Sequence, residues 1–139
     1  MIDYEYFEPA LIALLAPLSA EGVAVRGMPN EPKKQGVPDG GGAMVTMGWF
    51  AATASDAGPS DGQHQAMVNR LVFEVRTPTL RGPLGQYQLP GRVVAILKGR
   101  RVPGLGQLRF RGWELIERED GANGRFYSGV VSFAVDSMG

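Results

Sequence analysis

The chain has 139 residues, of which 44% are hydrophobic, and this suits one domain with its own core. It has no cysteine and one histidine, which excludes disulfide scaffolds, thiol enzymes, zinc fingers and iron–sulfur proteins. The 14 basic and 14 acidic residues cancel, so no net charge draws the protein toward nucleic acid or a membrane.

Apolar side chains near the N-terminus follow the period of a helix. The positions that share one helical face are Phe7, Leu11, Leu14, Leu15 and Leu18. Their spacing predicts a helix over Ala10–Leu18, with Pro9 at its first position after a Glu8 cap. Pro17 and Gly22 are expected to close this segment. The apolar run lacks the basic flank of a signal peptide and is too short to span a bilayer, so we expect a protein kept in a cytoplasm.

The middle of the chain predicts a β-hairpin, preceded by a short strand at 23–25 and a long loop. The loop, 29–42, has three prolines and four glycines without any period, and we expect it to be exposed. The first arm of the hairpin, 43–54, contains Gly48 as a candidate β-bulge. The second arm, 67–77, alternates apolar and charged residues, as a half-buried strand does. Its apolar side carries Leu71, Phe73 and Val75.

A second helix is predicted within 83–99. Its apolar face carries Leu89, Val93, Ile96 and Leu97. Pro90 suits the first helical position, and Gly99 suits the position just after the helix. Residues 100–106 are then expected to form a loop.

The C-terminal part predicts a second hairpin. Its first strand alternates until Gly112, where the apolar phase shifts by one residue, and this predicts a β-bulge. Asp-Gly and Asn-Gly pairs within 119–124 predict the turn. The last strand has an apolar face formed by Tyr127, Val131, Phe133 and Val135. Residues 1–139 are therefore predicted to form a single α+β domain, a mainly antiparallel sheet of about four to five strands packed against two helices.

Side chains able to carry catalysis are sparse. His64 lies in a loop rich in serine, aspartate and glycine, which is typical of a solvated histidine. No nucleophile elbow surrounds Ser128 or Ser132. The glycines of 40–42 and 104–106 lack the lysine and hydroxyl residue of a phosphate-binding loop. We therefore expect no catalytic residue, no cofactor and no metal.

Charge is distributed unevenly along the chain. Residues 1–21 carry four acids and no base, 70–111 carry nine bases and one acid, and 112–139 carry five acids and two bases. Opposed patches of this kind can attract further copies of the chain, although ordinary solvated surfaces have a similar composition. The candidate interface residues are the bases Lys98, Arg100, Arg101, Arg109, Arg111, Lys33 and Lys34 and the acids Asp3, Glu5 and Glu8.

Motifs in the second half of the chain carry a family resemblance. The second helix opens with Gly-x-Tyr-x-Leu at 85–89, ends in Leu-x-Gly at 97–99, and is followed by Pro-Gly at 103–104. With the leading helix and the strand Leu-Val-Phe-Glu-Val at 71–75, this layout resembles the small tail terminator proteins of contractile-tailed phages, in particular the Mu-like minor tail family. The resemblance extends over 9–135.

The resemblance implies a structural virion protein without an active site. Such a protein forms a ring, a homohexamer in this family, on the end of the tail tube, stops tube polymerisation and offers a docking surface to the neck. The implied partners are copies of itself, the tail tube protein, a neck or head-completion protein and, as a further candidate, the tail sheath. No membrane partner is implied, and the ring would be assembled in the host cytoplasm and located in the virion tail or neck.

Two features bear on this interpretation. The chain departs from the family pattern at 90–91, where the family has helix formers, and in the loop 29–42. Base-stacking aromatic residues are scarce among the arginines, so we expect no sequence-specific nucleic-acid binding, although genomic DNA would pass through the lumen of a ring. On the sequence alone, a stopper or tube-related protein of the neck remains an alternative, as does a small binding module or a hydrolase that uses His64.

Overall fold

A computed structural model describes residues 4–27, 42–54, 66–103, 105–117 and 126–138. The helices are α1 (Tyr4–Leu14), α2 (Ala16–Ser19) and α3 (Leu89–Leu97). The strands are β1 (Ala24–Gly27), β2 (Met44–Ala54), β3 (Ala66–Thr77), β4 (Arg101–Val102), β5 (Gly106–Gln107), β6 (Arg109–Glu117) and β7 (Tyr127–Met138). The predicted α+β class with a mainly antiparallel sheet is confirmed.

Five strands form the main sheet in the order β1-β2-β3-β7-β6. Every neighbouring pair is antiparallel except β1 and β2, which are parallel. Both predicted bulges are confirmed, because the register shifts between Met47 and Trp49 and again between Phe110 and Gly112. The sheet therefore ends in two unlike edges, a short parallel strand on one side and a long antiparallel strand on the other.

The N-terminal helix differs from the prediction. It begins at Tyr4, so Pro9 lies inside α1 and not at its first position. The break comes at Leu15, whose N–H donates to the Ile12 carbonyl, and α2 follows with Pro17 inside it. A proline at position 17 removes the N–H that would continue the helical hydrogen-bond ladder across this break. Packing of the predicted apolar face against the sheet outweighs the cost of Pro9, since Leu11, Leu15 and Leu18 are fully buried.

The second helix is shorter than its predicted segment. Residues before Leu89 form turns, and α3 ends at Leu97. Gly99 follows the helix as expected, with a φ of 78° in the left-handed region that favours glycine. The predicted loop after it contains a small ladder, β4 paired with β5. This corner returns the chain to the sheet, because Leu108 donates to the Arg100 carbonyl at 2.8 Å.

All three helices cover the same face of the sheet, here called the helix face. One cluster joins Leu11 and Leu15 of the N-terminal helix to Leu89 and Val93 of α3 through the sheet. The sheet contributes Val45, Met47, Leu71, Phe73, Val75, Val131, Phe133 and Val135. These positions include the apolar side predicted for the second arm of the first hairpin and most of that predicted for the last strand, which confirms the alternation in both.

The opposite face of the sheet, here called the outer face, contains a buried ion pair. Arg76 donates from Nε to Oε1 of Glu74 at 2.8 Å, and the Ser128 hydroxyl donates to the same oxygen at 2.9 Å. The Arg76 guanidinium also lies over the Phe126 ring, 5.4 Å from its centroid. Both charged residues are less than a tenth exposed. Alternation predicts that they face away from the core, but it does not predict their burial.

The motif glycine at position 85 is required by close packing of the backbone. A β-carbon at Gly85 would lie 2.6 Å from the carbonyl carbon of Arg81. This turn cannot yield easily, because Gln86 donates to Thr79 and Tyr87 donates to Leu80 within it. The Gly-x-Tyr-x-Leu pattern therefore has a structural reason at its first position.

We expect Gly85→Ala to lower the free energy of unfolding by about 2 kcal/mol, because the turn must open to admit the methyl group. The matched control is Gly91→Ala, where a β-carbon meets no atom within 4 Å. Alanine in that helical position should instead stabilise the protein by about 0.5–1 kcal/mol. Urea unfolding of both variants checks the pair, and equal midpoints would contradict the packing argument.

Candidate subunit interface

The two edges of the sheet differ in charge. Within the described residues, β6 pairs only with β7, and β1 pairs only with β2, so each leaves one side open. The β6 side carries most of the predicted bases, together with Glu114 and Glu117, and the β1 side carries two of the predicted acids, together with Arg26. We call these the basic edge (Arg100, Arg101, Arg109 and Arg111) and the acidic edge (Glu5 and Glu8 of α1, beside β1).

The basic edge is assembled by the corner between α3 and β6. Backbone hydrogen bonds from Gly99 and Leu108 place Arg100 at the start of β6, next to Arg109. Arg101 pairs with Gln107 in the small ladder. Lys98 and all four arginines of this edge are exposed. The structure thus brings together five of the candidate bases that the sequence places in one segment.

The outer face adds an arginine that sequence reasoning did not select. Arg70 and Arg111 line the same open cavity of about 320 Å³, together with Glu114 and Ser132. The bulge at Phe110–Gly112 accounts for this position of Arg111, since it shifts the strand phase and leaves Phe110 and Trp113 on the helix face. Phe110 therefore faces away from Arg111.

The acidic edge lies at the other side of the same molecule. Glu5 is exposed in the first turn of α1, where a carboxylate also interacts favourably with the helix dipole. Glu8 is half-buried, and its carboxylate lies against Gly27 in β1. Glu21, at the end of this region, is already paired with Arg92 of α3 within the chain. Glu5 and Glu8 are thus the predicted acids that the structure places beside the sheet edge.

An apolar groove lies between α3 and β6 on the helix face. It has a volume of about 310 Å³ and is lined by Gln86, Tyr87, Pro90, Gly91, Val94, Phe110 and Trp113. Its aromatic residues are unusually open to solvent: Trp113 is 42% exposed and Tyr87 is 55% exposed. The groove was not predicted from the sequence. The available signal was the phase shift at Gly112, which turns Trp113 toward α3 at an edge that the helix only partly covers.

At the floor of the groove, the side chains of Gln86 and Trp113 lie close to the backbone at Gly129. Gln86 is fully buried, and its amide nitrogen donates to the Val75 carbonyl at 3.0 Å. A β-carbon at Gly129 would lie 2.7 Å from Nε1 of Trp113 and closer still to Gln86. Glycine at this position therefore lets the Gln86 and Trp113 side chains lie flat on the sheet. Gln86 and Gly129 were not selected from the sequence.

Several predicted residues lie outside the described ranges. They are Asp3, Lys33, Lys34, His64 and most of the loop 29–42. Among the residues that the structure describes, no group of three histidine, cysteine, aspartate or glutamate side chains could hold a metal ion. In the same part of the chain, no helix has the length and apolar character needed to cross a membrane.

A solved virion structure contains a chain with a similar fold. The structure is described as the virion of a native gene transfer agent particle, and the similarity has a TM-score of 0.58. The alignment covers 91% of this chain and 84% of that chain, with 20% identical residues. At this identity the similarity shows a common fold. No protein-family model and no curated protein sequence matches the chain.

Proposed function

We propose that the protein is a structural component of a phage-like virion and that it closes into a ring on the end of a tail tube. The ring would stop tube polymerisation and bind a neck or head-completion protein. The observation that carries the proposal is the pair of unlike edges, with bases at β6 and acids at α1 beside β1.

Three further observations support this function. The fold is similar to that of a chain in a gene transfer agent virion. The order of elements and the motif around Gly85 resemble phage tail terminators. Within the described residues, most of the large apolar side chains left in solvent lie at the two sides of the sheet: Tyr6 on α1, and Phe110, Trp113, Leu115 and Ile116 on β6. The others are Tyr87, before α3, and Val68 on β3. A head-to-tail contact between neighbouring copies would cover the sets at both sides of the sheet.

The direct test is assembly of the purified protein. Light scattering after gel filtration should give several times the 14.9 kDa of the single chain, either alone or after tail tubes are added. Electron microscopy of tubes grown with the protein should show capped ends and a limited length. A monomer at high concentration that leaves tube growth unchanged would contradict the proposal.

Charge reversal at the basic edge should weaken assembly. Arg109→Glu with Arg111→Glu places acids opposite the acidic edge of the next copy, and we expect about a tenfold or larger loss of association at low salt. The folded state should persist, since both side chains are exposed. Because salt screens exposed charges, the difference from the parent should shrink as ionic strength rises.

A compensating change controls for this experiment. Adding Glu5→Arg to the double variant places a base opposite the new acids and should recover part of the lost association. Gel filtration of the parent, double and triple variants across a salt series measures both effects. If the double variant associates like the parent at every ionic strength, the basic edge is only a solvated surface.

A further inference from the structure

We infer that the apolar groove between α3 and β6 receives the outward face of α1 from the next copy of the chain, with Tyr6 inserted over Gly91. This inference rests on the proposed function and specifies which surfaces of neighbouring copies meet.

The side of α1 that faces solvent is largely apolar. Between Tyr6 and Leu18 the only charged residue is Glu8. The inward side of the helix is buried in the core, yet the exposed positions are also apolar or small: Tyr6, Pro9, Ala10, Ala13, Ala16 and Pro17. A helix that is apolar on both sides is normally covered on both sides. Tyr6 is 74% exposed and projects the largest of these side chains.

The groove suits an aromatic side chain in shape and composition. One wall is α3, where Gly91 leaves open space in place of a side chain and Pro90 and Val94 flank it. The other wall is Phe110 and Trp113 on β6. An aromatic ring that enters such a groove gains apolar burial and edge-to-face contacts with aromatic neighbours. The departure from the family pattern at 90–91 therefore coincides with the most open part of the groove.

Charge and placement favour the same contact. The guanidinium of Arg81 lies 5.7 Å from the centroid of the Tyr87 ring, so a cation lies beside one of the aromatic residues of the groove. Glu5 precedes Tyr6 on α1, so insertion of Tyr6 brings a carboxylate to the basic side of the neighbour. The groove and α1 lie on the same helix face at opposite edges of the sheet, which is the arrangement a head-to-tail contact requires.

Site-specific cross-linking tests this contact, because the chain has no cysteine of its own. Tyr6→Cys and Gly91→Cys are made as separate full-length proteins, mixed, allowed to assemble and oxidised. Both positions tolerate the change, since Tyr6 is exposed and a β-carbon at Gly91 meets open space. The control mixture pairs Tyr6→Cys with Ala20→Cys, which lies at the end of α2 on the same side of the molecule as α1. We expect at least about tenfold more disulfide dimer in the first mixture, since neighbours in an assembly meet at millimolar effective concentration.

A second pair of variants tests the same contact by obstruction. Gly91→Phe fills the groove and should abolish assembly, whereas Val68→Phe, at an exposed position of β3 on the outer face, should leave it intact. Assembly without the Tyr6–Gly91 cross-link, or assembly that survives Gly91→Phe, would overturn the groove contact and leave the proposed ring standing. Cross-linked dimers without larger assemblies would support the contact and overturn the ring. A parent protein that is monomeric and forms no cross-link would overturn both.

Discussion

Replacing Glu74 with alanine should lower the free energy of unfolding by about 3 kcal/mol, because it leaves the Arg76 guanidinium buried without this carboxylate. Arg76 is 4% exposed, and Glu74 also accepts the hydrogen bond from Ser128. By contrast, the ion pair between Arg92 and Glu21 is partly exposed, and Glu21→Ala should cost less than about 1 kcal/mol. Urea unfolding of both variants at neutral pH measures the difference.

A double variant distinguishes the loss of one charge of the ion pair from the loss of packing at these two positions. Methionine at both positions, Glu74→Met with Arg76→Met, removes both charges and keeps most of the buried volume, so most of the lost stability should return. If the single and double variants are equally unstable, the loss comes from packing at these positions and not from removing one charge of the ion pair. A single variant as stable as the parent would show that Arg76 reaches water.

Replacing Phe133 with alanine should lower the free energy of unfolding by about 3–5 kcal/mol. Its ring is fully buried and meets the Phe73 ring edge-on, with centroids 5.8 Å apart. It also supports Phe110 at 6.0 Å, so the loss should loosen one wall of the apolar groove. The urea midpoint should fall by about 2 M without a change in the slope of the transition.

The control at this position is Phe133→Leu, which retains most of the buried volume and should cost about 1–2 kcal/mol. Because Phe110 keeps a neighbour in that variant, assembly should be retained. An alanine variant within about 1 kcal/mol of the parent would mean that neighbouring side chains close the cavity.

The sequence predicts the sheet well where one face of a strand is apolar. Leu71, Phe73 and Val75 alternate with the charged residues Arg70, Glu74 and Arg76, with Val72 as the one exception, and the structure places the apolar side in the core. The bulge at Gly112 is also predictable, because a shift in apolar phase has few other causes in a strand. Both patterns are local, and each is visible within about ten residues of chain.

Other features depend on contacts between distant parts of the chain. The parallel pairing of β1 with β2 cannot be predicted from the sequence, because β1 has only four residues and shows no distinctive pattern of apolar residues. The helix α1 begins five residues before Pro9, at Tyr4, because packing outweighs the cost of an interior proline. The burial of Glu74 and Arg76 arises from the long-range pairing of β3 with β7, which places Ser128 beside Arg76. Charge in the sequence indicates only that a side chain avoids the apolar core, so it cannot distinguish a solvated pair from an enclosed one.

The candidate interface also has one feature that is local in the sequence and one that depends on contacts between distant residues. A segment rich in arginine is visible in the sequence, and the structure collects its members at one edge. The groove is different, because its two walls are 16 or more residues apart along the chain and meet only after α3 crosses the sheet. The sequence therefore gives no indication that Gly91 and Trp113 line the same groove.

The unlike edges of the sheet also determine what an assembly can offer to other proteins. Contacts between an acidic edge and a basic edge join every copy in the same sense, so a closed ring has an upper and a lower surface made of different residues. Two unrelated proteins can then bind the same ring at once, one above and one below, without competing for a site. A dimer of two identical edges would present equivalent surfaces on both sides. The two unlike edges of one chain are thus sufficient for its ring to connect two dissimilar structures.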